Sequence, residues 1–508
     1  EGDMFTILSP FFGDNLNLRS LDLYNFDMDA RSARLFLSAL SKCNNLRRLQ
    51  IHSCSIDDES AAKLVNILAK YRDLRHLCLN FNNVNAKKWC VALGNLLRNP
   101  RSKLEILYLD YNDINDEGAI ALASGLAKNS TLTNLSLVEN DNITKTGWIS
   151  FFSFLVNHNS SLESLDLSSN DIDGEGLNAL ANALARNSTM KILVLCCINQ
   201  LISIVEWRTF FDLMKDSNTA LERLCLNGNN IGDEVVPAMM NALSNMSLLK
   251  NLDLWDNRQI TTVGWRIFFD SLQHHYSAIE DLGLAWNNID DEVVASIINA
   301  LASNMKLKAI DLRSNRLITP SGWRMLSNLL RHPNSSLKEL YVYENGSNIN
   351  DEVAIAFANS LVNNTSLKTL HFGRDHAVTK MGWTAFSNTL CSKASIDSLY
   401  DSNHTLQRVI WEEDLLPSDL VSSLQMNRNE DKAEVARQKV IKYHFHDGES
   451  NFEEFVGLEL KVLPRAVAWI GRDVDGFGLL YNLFQSVPSL FDCDGEAKAV
   501  SGKRKRAC

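Results

Sequence analysis

The chain contains no run of about 18 uncharged apolar residues, no CxxC pair, no glycine-rich phosphate loop, no GxSxG elbow and no HExxH. The first absence excludes a membrane-spanning helix. The second leaves the ten cysteines without a disulfide framework or a zinc-ligand spacing. Cys54, Cys78, Cys196 and Cys225 then read as small apolar residues at or beside strands, in a protein of a reducing, intracellular, cytoplasmic compartment. The remaining absences remove the common signatures of nucleotide hydrolysis, serine esterase and zinc protease chemistry. Positive charge is also short: the net charge is −11 and the pI about 5.5, which argues against non-specific binding to nucleic acid.

What the sequence does have is one recurring stretch, seen most completely at Leu104–Thr131. Leu104, Leu107 and Leu109 alternate with polar residues as a short strand with one buried face. Asn112 follows, an amide able to satisfy backbone groups in a tight turn. Asn115-Asp116-Glu117-Gly118 suits a helix N-terminus, and Ala119, Leu122, Ala123 and Leu126 place one apolar stripe on the helix that follows. The same unit begins again at intervals from Leu18 to Leu367, about thirteen times.

The interval alternates between roughly 28 and 30 residues, so the true period is a pair of about 58. One member starts its helix with acid (Asp116-Glu117, Glu175 after Asp173, Asp233-Glu234, Asp291-Glu292, Asp351-Glu352). The other carries Gly-Trp at 147–148, 264–265, 322–323 and 382–383, with Trp89 and Trp207 as degenerate versions. Helical spacing joins Trp148 to Phe151, Phe152 and Leu155, which predicts that these tryptophans pack in the core and do not stack on a ligand. Sequons at Asn129, Asn187, Asn334 and Asn364 fall where a helix ends, and they read as turn residues, not as glycosylation sites.

Strands stack at about 4.8 Å and helices at 8–10 Å, so such an array curves with its strands on the concave side. The pattern LxxLxLxxNxIxDE, with paired units of this length, resembles the ribonuclease-inhibitor-like class of leucine-rich repeat proteins, which includes the sensor regions of NOD-like receptors and the Ran GTPase-activating protein. The resemblance implies an α/β fold: a right-handed horseshoe solenoid with a parallel sheet inside and helices outside. Phe26, Cys54, Ile198 and Asp375 depart from the asparagine of that pattern. Residues 1–17 are expected to be the truncated helix of a preceding repeat, 18–411 the solenoid, 412–492 a helical C-terminal cap, and 493–508 a disordered basic tail. In the cap, helices are predicted over 418–426, 432–443, 452–462, 464–470 and 478–484. The repeat rhythm fails from Ile396, where Ile396 to Leu399 begins a further unit that is not completed.

Candidate chemistry is sparse. His444-Phe445-His446-Asp447 lacks a third metal ligand, and Asp473-Val474-Asp475-Gly476 lacks the glutamate that closes a calcium loop, so neither metal nor other cofactor is expected. No catalytic residue is assigned, and the protein reads as a non-enzyme. The basic run Lys503, Arg504, Lys505 and Arg506 offers nuclear import as an alternative location.

The concave wall is more informative, because strand geometry decides which side chains face outward. Tyr108, Asp110, Tyr111 and Asp166 line its first half. Asp253, Trp255, Asp256, Asp281 and Trp286 follow, and then Asp311, Arg313, Tyr341 and Tyr343. Trp255 and Trp286 are expected to stand exposed on next-but-one strands. Acids outnumber bases, and solvent-facing aromatics are typical anchors of interfaces. These thirteen residues are therefore the candidate partner-binding site, and the expected partner is a protein, favoured if basic, with neither nucleic acid nor membrane involved. The resemblance adds two alternatives: a small-GTPase-activating regulator and the sensor part of an immune-type receptor.

Overall fold

The computed structural model describes residues 18–444, apart from 27, 44, 81–87, 157–160, 199–201, 216–219, 275–277, 304–305, 333–334, 374–376 and 411–415, together with the isolated positions 467, 481 and 485. The expectations for 1–17, Asn334, Asp375, 445–447, the helices predicted within 452–484, 473–476 and the tail fall outside the described residues.

Fourteen strands form one parallel sheet in strict chain order: β1 (Ser20–Tyr24), β2 (Arg48–His52), β3 (His76–Cys78), β4 (Ile106–Tyr108), β5 (Asn134–Ser136), β6 (Ser164–Asp166), β7 (Ile192–Val194), β8 (Arg223–Cys225), β9 (Asn251–Asp253), β10 (Asp281–Gly283), β11 (Ala309–Asp311), β12 (Glu339–Tyr341), β13 (Thr369–His371) and β14 (Arg408–Ile410). A helix follows each of the first thirteen, from α1 (Ala30–Leu40) to α13 (Lys380–Leu390), and each helix packs on its neighbours in sequence. The result is the α/β horseshoe solenoid. The unit expected to open at Ile396 is instead the short helix α14 (Ile396–Tyr400), and Leu406 and Val409 restart the pattern as β14, so the array has one strand more than expected. Helices α15 (Ser418–Met426) and α16 (Lys432–His444) cover its end, close to the predicted bounds.

Two asparagine ladders carry the turns. On one rim, Asn112 donates its amide to the Leu79 and Leu109 carbonyls at 2.8 and 2.9 Å, and Asn140, Asn170, Asn257, Asn287 and Asn315 repeat the arrangement. Each bond satisfies a buried carbonyl that would otherwise cost about 1–3 kcal/mol. Phe26, Cys54 and Ile198 stand in that ladder as buried apolar residues. The second ladder uses the sequon asparagines. Asn129, Asn187 and Asn364 are buried and donate to Leu97, Leu155 and Leu330 carbonyls at 2.7–2.9 Å.

Physical contact explains the pairing of units. Asp116 of α4 (Asp116–Leu126) accepts the Thr144 N–H at 2.7 Å, at the start of α5 (Lys145–Phe152). Asp233, Asp291 and Asp351 do the same for Thr261, Thr319 and Thr379. A Cβ on Gly147, Gly264, Gly322 or Gly382 would run into that same carboxylate, so the acid of one unit requires the glycine of the next. The neighbouring tryptophans, Trp148, Trp265, Trp323 and Trp383, are all buried, as are Trp89 and Trp207.

Candidate functional site

Each short strand buries its middle residue and turns its first and third to the concave face, as in Ile106-Leu107-Tyr108 and Asn251-Leu252-Asp253, so side chains of neighbouring repeats stand about 4.8 Å apart. The candidate residues divide into two groups. Tyr108, Asp110, Tyr111 and Asp166 belong to β4–β6, and the others to β9–β12, three strands or about 15 Å further along the sheet.

The first group is largely occupied with its own structure. Asp110 accepts from Asn80 Nδ2 at 2.7 Å, from Val138 N at 3.1 Å and from the Ser136 hydroxyl. Burial raises its pKa above the ordinary carboxylate value, against those hydrogen bonds. Asp166 accepts from Ser168 N and Oγ at 3.0 and 2.7 Å. Tyr108 stands edge-on to His76, with centroids 5.4 Å apart, and Tyr111 is exposed with φ of 55°.

Of the second group, Asp253, Trp255, Asp281, Asp311, Arg313 and Tyr341 line a depression of about 360 Å³ across β8–β12, and Asp256, Trp286 and Tyr343 lie outside its lining. Its lining includes four carboxylates (Asp253, Asp281, Asp311 and Glu339) and two guanidinium groups (Arg223 and Arg313). Arg223 bonds Asp253 at 2.8 Å. Asp281 accepts from the Asn251 amide, and its pKa is raised by burial and by Glu280 and Glu339 nearby. Glu339 accepts from the Tyr341 hydroxyl at 2.8 Å, and Tyr341 stacks on His371 at 3.8 Å.

Arg313 is the centre of this group. It forks onto the buried Asp311 through Nε and Nη2, donates to the Tyr343 hydroxyl, and lies 4.4 Å from the Trp255 ring centroid and 5.1 Å from that of Tyr343. Trp255 is therefore half-buried beneath a guanidinium and not exposed as the sequence implied. Its ring lies over Gly283, where a Cβ would strike the indole nitrogen, so the strand residue without a side chain makes the place for the tryptophan. Sequence reasoning missed Gly283, although a glycine inside a strand is itself a signal of close approach.

Trp286 is the exposed aromatic, at 45%, with a left-handed φ of 58° and Arg258 5.9 Å from its ring centroid. Trp255 and Trp286 follow β9 and β10, which are adjacent and not next-but-one, because the two residues occupy different positions of consecutive repeats. Asp256, also left-handed at 54°, pairs with Arg258 at 2.7 Å. Among the described residues, no group of three or more His, Cys, Asp or Glu side chains is placed to hold a metal ion, and no helix is long and apolar enough to cross a membrane.

The repeats agree with comparison to known proteins. A family model described as "Leucine Rich repeat" matches residues 42–65, 102–123, 158–181 and 303–327. The chain is similar to the ribonuclease inhibitor of Mus musculus, at 27% identity over 320 residues that cover 62% of this chain and 68% of that one. It is also similar to "NACHT, LRR and PYD domains-containing protein 14" of Mus musculus, at 27% identity over 47% of this chain, where the match spans 24% of the relative's length. A shorter match, 31% over 103 residues, is to "RAN GTPase-activating protein 2" of Arabidopsis thaliana, covering 20% of this chain and 19% of the relative. The chain is a leucine-rich repeat protein of the ribonuclease-inhibitor-like class.

Proposed function

We propose that this protein is a non-catalytic binding scaffold of the cell interior whose concave face takes a basic protein partner, centred on β9–β12. The observation that carries the reading is the depression, lined by four carboxylates and two guanidinium groups, with exposed Trp286 outside it and bonded through its backbone N–H to the Arg313 carbonyl. A low-dielectric recess with an excess of carboxylates favours cations, and charge of this kind governs encounter rate and specificity. Trp286 supplies the aromatic contact that interface centres favour.

The test is cross-linking and mass spectrometry of proteins held by the full chain, compared with Trp286→Ala and Asp281→Asn. Loss of the same cross-linked partner in both variants supports the reading, and an unchanged partner set overturns it. The match to the RAN GTPase-activating relative favours one narrower form, a regulator of a small GTPase. Failure to accelerate GTP hydrolysis by any of a panel of small GTPases would remove that form and leave the broader one standing.

A further inference from the structure

A second surface lies at the other end of the sheet. The residues just before the strands form a row along one rim, held in register by backbone bonds such as Arg47 N to Arg19 O and Arg75 N to Arg47 O, both 2.8 Å. Through β6–β11 this row neutralises itself: Lys191 pairs with Glu163 at 2.9 Å, Lys250 with Glu222 at 3.5 Å, and Lys308 with Glu280 at 2.6 Å. At β1–β3 the alternation fails, and Arg19, Arg47 and Arg75 follow one another with no acid between them. Glu105 takes Arg75 in an ion pair. Arg19 and Arg47 are exposed and form no ion pair among the described residues. Asp73, the acid beside Arg47 and Arg75, is already held by Lys103 at 2.9 Å.

Like charges directly opposite on neighbouring strands are destabilising, so this end of the row carries a cost that β6–β11 avoids; Lys308, Lys338 and Lys368, before β11–β13, form a second like-charged run, made of lysine. The side-chain type changes as well. The cations bridged in β6–β11 are lysines, whereas those at β1–β3 are arginines, whose planar fork takes a carboxylate with two parallel hydrogen bonds. We propose that Arg19, Arg47 and Arg75 bind the acidic face of an α-helix presented by a protein partner. Neighbouring strands are about 4.8 Å apart and a helical turn rises about 5.4 Å, so carboxylates at i, i+4 and i+7 keep step with the three arginines. The rim is several strands from the depression on β9–β12, and either surface stands if the other fails.

The probe is a helix-stabilised, fluorescent peptide with glutamates at i, i+4 and i+7, titrated onto the full chain beside an isomer whose glutamates are spread around the helix. The one-faced peptide is expected to bind about tenfold more tightly than its isomer, and Arg19→Glu/Arg47→Glu to weaken it by about tenfold, while Lys338→Glu/Lys368→Glu changes it less than about twofold. Equal binding of the isomer, or equal loss in both charge variants, overturns the proposal, because net charge would then explain the attraction. Displacement by inorganic phosphate or anionic vesicles at concentrations below those needed for free glutamate peptide also overturns it. Arg47→Glu alone restores the alternation, so its melting temperature is expected at or above that of the wild type, which separates lost binding from lost folding.

Discussion

Gly174 and Glu206 have exchanged the roles that acid and glycine hold in four other pairs of units. At the position held by Asp116, Asp233, Asp291 and Asp351, this unit has Gly174; where Gly147, Gly264, Gly322 and Gly382 follow, it has Glu206. The Glu206 carboxylate fills the space above Gly174, where a Cβ would collide with it, and turns back to accept the Ser203 N–H at 2.7 Å. Gly174→Asp alone sets two carboxylates in one space, and Glu206→Gly alone removes a cap. Each is expected to destabilise by about 1–3 kcal/mol. The double variant rebuilds the ordinary contact, so it should be more stable than the sum of the singles by roughly 1–2 kcal/mol in urea denaturation. Strict additivity would show that the two positions do not interlock.

That pair marks the boundary of what the sequence made legible. The leucines, Asn112 and the buried tryptophans follow from a period, and a period survives without coordinates. The alternation of acid and Gly-Trp was equally visible, but its cause lies in contact between residues some 28–31 positions apart, which spacing alone does not reveal. The concave residues were placed on the correct face, because the strand alternates. Trp286 is exposed as expected, but Trp255 is not, because Arg313 reaches over it from two strands away and Gly283 lets the ring lie down. The fourteenth strand was obscured because α14 (Ile396–Tyr400) interrupts the usual leucine spacing.

Gly283→Ala should displace Trp255 without unfolding the array. The added methyl would meet the indole nitrogen and Asp253 Oδ1, and the neighbouring atoms must move. A stability loss of about 1–3 kcal/mol is expected, typical of overpacking. A red shift of tryptophan emission should accompany it as Trp255 meets water. An unchanged emission spectrum would mean that the ring does not depend on the glycine.

Trp286→Gly should separate binding from stability. Its φ of 58° belongs to a row of left-handed positions that includes Tyr111, Glu139, Asp256 and Gly228. A bulky residue in that conformation costs about 1 kcal/mol relative to glycine. The variant is therefore expected to unfold at slightly higher urea while capturing less of the concave-face partner. Lower stability together with lost capture would point to a structural role for the ring.

The joint between solenoid and cap should be sensitive to acid. Lys439 of α16 is fully buried without a carboxylate, donating to Leu390 O, to Asn403 O at 3.0 Å and to His404 Nδ1 at 3.2 Å. His404 Nε2 faces Tyr400 O at 3.0 Å, so the neutral imidazole accepts at one nitrogen and donates at the other. Burial, then the positive charges of Lys439 and Lys432, lower the His404 pKa from 6.5 to about 4. Between those values the unfolded chain carries a proton that the folded one refuses, so stability is complete above about pH 6.5 and falls as the pH drops toward 4. The full loss is roughly 3 kcal/mol. Lys439, lowered to about 7 mainly by burial, acts in the same sense at higher pH, its contribution falling as the pH drops from 10.5 toward 7. His404→Gln keeps an acceptor for Lys439 but cannot titrate, so urea denaturation of this variant should show a shallower decline than wild type from pH 6.5 to 4. Identical slopes would mean that His404 takes up its proton without opposing the cap.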